Sequence, residues 1–231
     1  MFLNITRVEG LAFHLRLKLQ KICMKEFKLL NKETLFEGYN FLARREKFFK
    51  AVLEEKNYQI NPFSKKAGFE GLISLIVEQQ LSVASATAIF NRIKDLVKPF
   101  NPEQFIKIDS DKFKEAGLSK QKIDYCKGIA NKIINNELNL NALKKKEDHE
   151  VVEELTKIRG IGEWTAQCYL MACLKRLDAW PSSDLGLLVA IQRLKGLKER
   201  PDYLTIEKMS ESWSPFRSVA ALILWSTYDK E

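Results

Sequence analysis

From residue 35 onward, apolar positions recur at three-to-four residue spacing along most of the chain. Phe36, Tyr39, Phe41, Leu42, Phe48, Phe49 and Val52 follow that period and predict a helix running through Glu55, with Asn61–Pro62 as punctuation after it. Phe69–Val77 predicts a strongly apolar helix, and Ser82 caps a second one that continues through Val97 and stops before Pro99. Short helices follow around Pro102–Ile108 and Ser110–Ala116, and Ser119 opens a longer one to about Ile134. The run Lys144–Lys146 reads as a solvated helix end. Strand-like alternation is almost absent after residue 60 and glycine is sparse, so the chain reads as all-α, with no internal repeat and no low-complexity linker.

Composition narrows the class. The 231 residues are 45% hydrophobic with a net charge of +8, which excludes a disordered tail. The longest apolar runs, Leu72–Val77 and Val219–Trp225, suit buried helix faces and fall far short of the ~20 residues of a membrane span. The charge excess admits an anionic partner without choosing one. Four cysteines, Cys23, Cys126, Cys168 and Cys173, are scattered with no C-x-x-C pair, so neither a disulfide framework nor a zinc or iron–sulfur site is expected. That usage points to a reduced compartment, cytoplasmic or nuclear. Residues 1–23 form a basic N-terminal extension carrying Arg7, Arg16, Lys18 and Lys21 against Glu9. They have neither the clean apolar core nor the cleavage site of a targeting peptide, and read as a flexible extension or as an upstream start, with Met24 the working one.

The most informative segment is Leu155-Thr-Lys-Ile-Arg-Gly-Ile-Gly-Glu-Trp-Thr-Ala166. A helix over Glu150–Lys157 runs into Gly160-Ile161-Gly162, and a second begins at Glu163. Two glycines around one apolar residue permit positive φ and leave the backbone bare. The amides that open the second helix then point outward, where the helix dipole favours an anion. Ile158 and Ile161 would bury the hairpin against its own helices, and a DNA phosphate suits the amides that remain. G-x-G alone describes an ordinary tight turn between helices. The longer pattern, with three further segments, carries more. They are Phe69-Glu-Gly-Leu with Glu78-Gln-Gln-Leu-Ser-Val83, Gly117-Leu-Ser-Lys-Gln-Lys122, and Trp213-Ser-Pro-Phe-Arg-Ser-Val-Ala-Ala-Leu-Ile-Leu-Trp225. Together, over roughly residues 35–228, the chain resembles the helix–hairpin–helix DNA glycosylase superfamily, in its alkylpurine branch, the type II 3-methyladenine DNA glycosylases.

The resemblance implies a site. Asp184, in Trp180-Pro-Ser-Ser-Asp-Leu-Gly186, lies in the first turn of a helix Asp184–Leu194 that Ser182 or Ser183 caps. On its own it reads as a helix-favouring aspartate; by resemblance it is the catalytic carboxylate, stabilising positive charge on the sugar and orienting the attacking water. Many relatives carry two acids here, whereas this chain has Ser183 before Asp184; Asp178 ranks second. Trp164 and Trp225 match aromatic base-pocket positions, with Tyr169 beside them, although Trp225 also suits the core. Cys168 stands where a bacterial relative has tyrosine. Gln80 matches the side chain that enters the duplex, with Leu81 beside it; Gln79 and Gln80 also read as helix-end polar residues. Phosphate contacts fall to Gly160, Ile161, Gly162 and Thr165. The carbonyls of Thr156, Ile158 and Ile161 match those that hold a monovalent cation, Na+ or K+, and no other cofactor is implied. Trp164 occupies the place of the lysine nucleophile of bifunctional members, so a monofunctional enzyme is expected, and the chain lacks the four-cysteine iron–sulfur pattern of other branches.

The resemblance also implies two helical lobes with a DNA-binding cleft between them: a central lobe over about 70–165, a second from 24–69 plus 175–231, and the hairpin at about 150–175, all within a domain spanning 24–231. The expected partner is double-stranded DNA containing damaged bases, met by a monomer away from any membrane. A DNA-damage binding protein without chemistry, and a glycosylase for deaminated bases such as uracil or hypoxanthine, are the competing readings.

Overall fold

The computed structural model describes residues 27–228, and the extension expected at residues 1–23 lies outside them. Among the described residues the helices are α1 (Lys32–Arg45), α2 (Lys47–Glu55), α3 (Phe69–Glu78), α4 (Val83–Leu96), α5 (Pro102–Lys107), α6 (Ser110–Glu115), α7 (Lys120–Ile134), α8 (Asp148–Thr156), α9 (Glu163–Ala172), α10 (Leu185–Lys195), α11 (Tyr203–Ser210) and α12 (Arg217–Tyr228). Short 3-10 turns lie at Ala142–Lys145 and Glu211–Trp213. Extended pairing among these residues is confined to an isolated bridge between Leu29 and Arg176. None of these helices is long and apolar enough to cross a membrane.

The two apolar runs become the central helices of two groups. Leu72, Ile73, Leu75, Ile76 and Val77 of α3 are all buried, and α3 packs on α4, α7 and α9. Val219–Leu224 of α12 are likewise buried, and α12 packs on α1, α2 and α10. Each large aliphatic side chain removed from water in this way contributes about 1.5–3 kcal/mol. Cys126, Cys168 and Cys173 are part of the same buried set, and burial pushes the thiols of Cys126 and Cys173 up to about 12.

Two expectations need correction. The helix expected through Glu55 is two helices, because Glu46 is extended (φ −137°, ψ 127°) and serves as the C-cap of α1 and the N-cap of α2. Its carboxylate receives Lys195 Nζ at 3.2 Å from the end of α10. The bend brings Phe48 and Phe49 together against Trp213, with ring centroids 6.3 and 5.1 Å away. Lys144–Lys146 closes the 3-10 turn Ala142–Lys145 and not an α-helix, and it is only partly solvated: Arg176, itself buried, donates through Nη2 to the carbonyls of Lys144 (3.1 Å) and Lys146 (2.9 Å). Lys146 pairs with Glu154.

Candidate active site and nucleic-acid interface

Pro181 prevents the chain from entering α10 directly, and a tight turn follows in which Asp184 N–H donates to Pro181 O at 2.9 Å. Asp184 then caps α10 itself, its Oδ1 accepting the Leu187 amide at 3.0 Å. This differs from the expected first-turn position behind a serine cap. An aspartate oxygen reaches the orphan amides as well as a serine oxygen does, and adds a charge that the helix N-terminus favours.

Two further helices converge on the same carboxylate. Trp164 Nε1 of α9 donates to Asp184 Oδ2 at 2.8 Å, and Trp225 Nε1 of α12 donates to Asp184 Oδ1 at 2.8 Å. All three residues are half-buried. The indoles expected as a stacking platform thus turn their N–H edges to the carboxylate, a role their spacing in the chain does not reveal. Charge-assisted bonds of this length are about twice as strong as neutral ones.

The surrounding wall contains residues that sequence reasoning missed. The Phe63 ring meets Trp225 edge-on at 5.2 Å, and Lys65 Nζ lies 5.2 Å from the Phe63 centroid. Lys65 also donates to Ser74 Oγ at 2.9 Å and pairs with Glu78. Phe63 and Lys65 sit in an irregular segment that offered no periodic signal; Glu78 adjoins Gln79 in a motif already singled out. Cys168, one turn beyond Trp164, is fully buried, and its thiol is pushed well up by burial and then by the Asp184 and Glu78 charges. Tyr169 is fully buried as well, its hydroxyl accepting the Gly68 amide at 3.2 Å, so it sits behind the wall and not on it. Asp178 is taken up by Arg217, whose Nε and Nη2 donate at 3.0 and 2.9 Å.

The hairpin between α8 and α9 turns at Gly160, where φ is +94°. A Cβ there would lie 2.3 Å from Tyr125 Cγ, so the ring occupies the space of any side chain. Ile158 and Ile161 are buried as expected, while Gly162, the N-cap of α9, is exposed. The first amides of α9 therefore begin at the surface without partners inside the helix. Ile158 O accepts the Ile161 amide at 3.0 Å and keeps a second lone pair; the Thr156 hydroxyl turns back to Val152 O. Thr165 is buried, and its hydroxyl accepts Gln79 Nε2 at 2.9 Å; Gln79 Nε2 also donates to Gly160 O at 3.0 Å.

Gln79 is therefore turned inward onto the hairpin, and the next residue is turned out. Gln80 is exposed with φ +56°, and Leu81 and Val83 beyond it are 41% and 74% exposed. A left-handed conformation at a residue other than glycine costs of order 1 kcal/mol and persists where its neighbours enforce it. Lys122 Nζ donates to Val77 O at 2.7 Å and to Gln79 O at 2.6 Å, and burial pushes its ammonium below the usual lysine range. Thr165 and Trp164 are adjacent on α9, so the Gln80 turn and the Asp184 carboxylate hang from successive residues of one helix. Among the described residues, no cluster of three or more His, Cys, Asp or Glu side chains is arranged to hold a metal ion.

Residues 73–215 match the HhH-GPD superfamily of base excision DNA repair proteins. The chain is 35% identical over 176 residues to DNA-3-methyladenine glycosylase 1 of Schizosaccharomyces pombe, covering 74% of this chain and 77% of that one. It is 30% identical over 171 residues to the alkylbase DNA glycosidase-like protein mag2 of the same organism, covering 72% and 80%. Among solved structures, the S. pombe 3-methyladenine DNA glycosylase Mag1 in complex with abasic DNA superposes with a TM-score of 0.78 at 32% identity, covering 83% of this chain and 96% of that one.

Proposed function

The chain belongs to the HhH-GPD superfamily of base excision DNA repair proteins, and from that premise we propose that it hydrolyses the N-glycosidic bond of alkylated purines in double-stranded DNA. The observation that carries this reading is the Asp184 carboxylate, gripped by three N–H donors from three elements. A carboxylate offers about four lone-pair directions. Leu187 and Trp225 take two on Oδ1 and Trp164 takes one on Oδ2, which leaves one direction on Oδ2 for a water or the sugar. Breaking the bond builds positive charge on the sugar, and a fixed anion beside it stabilises that charge without reorganising. The damaged base must first leave the stack. Gln80 fills the gap it leaves, and the indole faces attract a base made cationic by alkylation at N3 or N7.

The hairpin backbone at Gly160–Gly162, together with the first amides of α9, holds a backbone phosphate near the lesion. A monovalent cation, Na+ or K+, would be held by the carbonyl oxygens of Thr156, Ile158 and Ile161 and would add positive charge beneath that phosphate. Ile158 O has a lone pair to give it. The enzyme acts as a monomer in the compartment that holds the DNA, and the chemical step needs no cofactor. The test is to incubate the purified protein with methylated and with deaminated duplexes and to assay the free base. Release of 3-methyladenine or 7-methylguanine is the expected result; release of uracil or hypoxanthine alone reassigns the substrate, and release of nothing overturns the reading.

Two variants probe the role of the indoles. Trp225→Phe keeps the ring and removes one donor to a charged acceptor, an interaction worth about 1.5–3 kcal/mol. Excision is expected to fall about tenfold or more, equally on methylated purine and on hypoxanthine. Trp225→Leu removes the ring face too, and should cost methylated purine a further ~5–30-fold relative to hypoxanthine. Equal ratios in both variants, at unchanged melting temperature, would restrict Trp225 to holding Asp184. Borohydride trapping on a damaged duplex should give no covalent adduct, since Trp164 offers no amine for a Schiff base; an adduct would reveal another amine nucleophile.

A further inference from the structure

We propose that Lys122, from the first turn of α7, is the positioning residue for the duplex-penetrating Gln80. This rests on the reading of Gln80 given above and adds a residue to it. The last carbonyls of a helix have no partner within it, and a cation near them also answers the negative end of the helix dipole. Lysines often do this from within the same helix. Lys122 does it from 45 and 43 residues away, bringing a second helix to the end of α3 through Val77 O and Gln79 O.

The second of these bonds is the telling one. Gln79 O belongs to the peptide that joins Gln79 to Gln80, and the tilt of that plane sets where the chain goes next. With the carbonyl tied to Lys122 at 2.6 Å, the plane cannot rotate, and Gln80 is kept at φ +56° with its side chain exposed. The Gln79 side chain is tied independently to Gly160 O and Thr165 Oγ1, so both the backbone and the side chain of the residue before Gln80 are fixed. Leu81 N–H closes the turn on Glu78 O at 3.1 Å. A side chain that must hold open a stacked duplex works against restacking, and a loose mount would yield before the duplex does. Lys122 makes the mount rigid. Its ammonium faces carbonyl oxygens and touches neither the base nor the sugar.

The experiment is a double-mutant cycle on the full chain: Lys122→Met, Gln80→Ala and the pair, measured as single-turnover release of 3-methyladenine from duplex. Lys122→Met is expected to slow release by about 10–100-fold, as small misplacements of a working group do. The double variant should be no more than about twofold worse than the slower single variant, because both remove the same function. Lys122→Arg, which keeps the reach and the donors, should recover most of the rate. Multiplying effects in the cycle, or a Lys122→Met rate equal to wild type, overturns the proposal. Should Lys122→Met fail to fold, Lys122→Gln, too short to span both carbonyls, takes its place. A second readout uses 2-aminopurine beside the lesion. Its fluorescence should rise when wild-type protein opens the stack and should stay low with the folded Lys122 variant; an equal rise with both overturns the proposal. Because stack opening is read without chemistry, a wild-type protein that opens the duplex and releases no base would count against the hydrolytic reading and not against Lys122.

Discussion

Asp184→Asn is expected to lower base release by about 10²–10³-fold or more, the usual effect of removing a key electrostatic group from a site that stabilises developing charge. Geometry deepens the loss. An asparagine can still cap α10 through Oδ1 and accept Trp225, since asparagine and aspartate cap equally well. Its Nδ2 then occupies the place of Oδ2 and meets the Trp164 N–H, donor against donor. Flipping the amide sets two donors against it instead of one. The variant therefore loses the charge and frees an indole edge, while the hairpin and the Gln80 turn remain intact. Duplex affinity should stay within a few-fold of wild type, measured by titration of labelled DNA. A variant that retains more than about a tenth of wild-type turnover would remove Asp184 from the chemistry.

Gly160→Ala is the second large effect, and it acts through the fold. At φ +94° a side chain is strained whatever the space, and here the space is filled by the Tyr125 ring at 2.3 Å. Left-handed backbone costs roughly 1–2 kcal/mol and overpacking about 1–3 more. For a chain of this size that sum lowers the melting temperature by about 5–15 °C. The Gly160 carbonyl also moves away from Gln79, so duplex binding should weaken along with stability. Gly162→Ala is the matched control, because a Cβ there meets nothing within 4 Å. It should leave the melting temperature nearly unchanged and weaken only the approach of a phosphate. Equal melting shifts in the two variants would contradict this account.

Local chemistry was legible in the sequence. Ser82 and Ser119 cap α4 and α7 by accepting the amides of Ser85 and Lys122, as their place before an apolar period indicated. The runs at residues 72–77 and 219–224 lie in the interior because apolar side chains dominate both, and the polar Ser74 within the first is hydrogen-bonded to Lys65. The break at Glu46 was not legible: neither glycine nor proline marks it, and its partner Lys195 is 149 residues away. The same limit governs the site. Asp184 was found, but that Trp164 and Trp225 grip its two oxygens depends on three helices meeting, and no spacing of 20 or 41 residues encodes that. Gln79 and Gln80 are chemically alike and adjacent; the inward turn of one and the outward turn of the other follow from Gly160, Thr165 and Lys122.

The buried thiols described above matter for where such a protein works. Agents that methylate purines are electrophiles, and a thiolate is a far better nucleophile toward them than a purine nitrogen is. Burial pushes the thiols of Cys126 and Cys173 up to about 12 and that of Cys168 well up too, and all three are shut away from solvent. At neutral pH these positions present almost no thiolate to an incoming methyl donor. Cys168, which shares a helix with the indole that holds Asp184, is thereby spared a methyl group for which the packed wall has no room. Among the described residues, these three thiols are thus shielded from the compounds that create the proposed substrate.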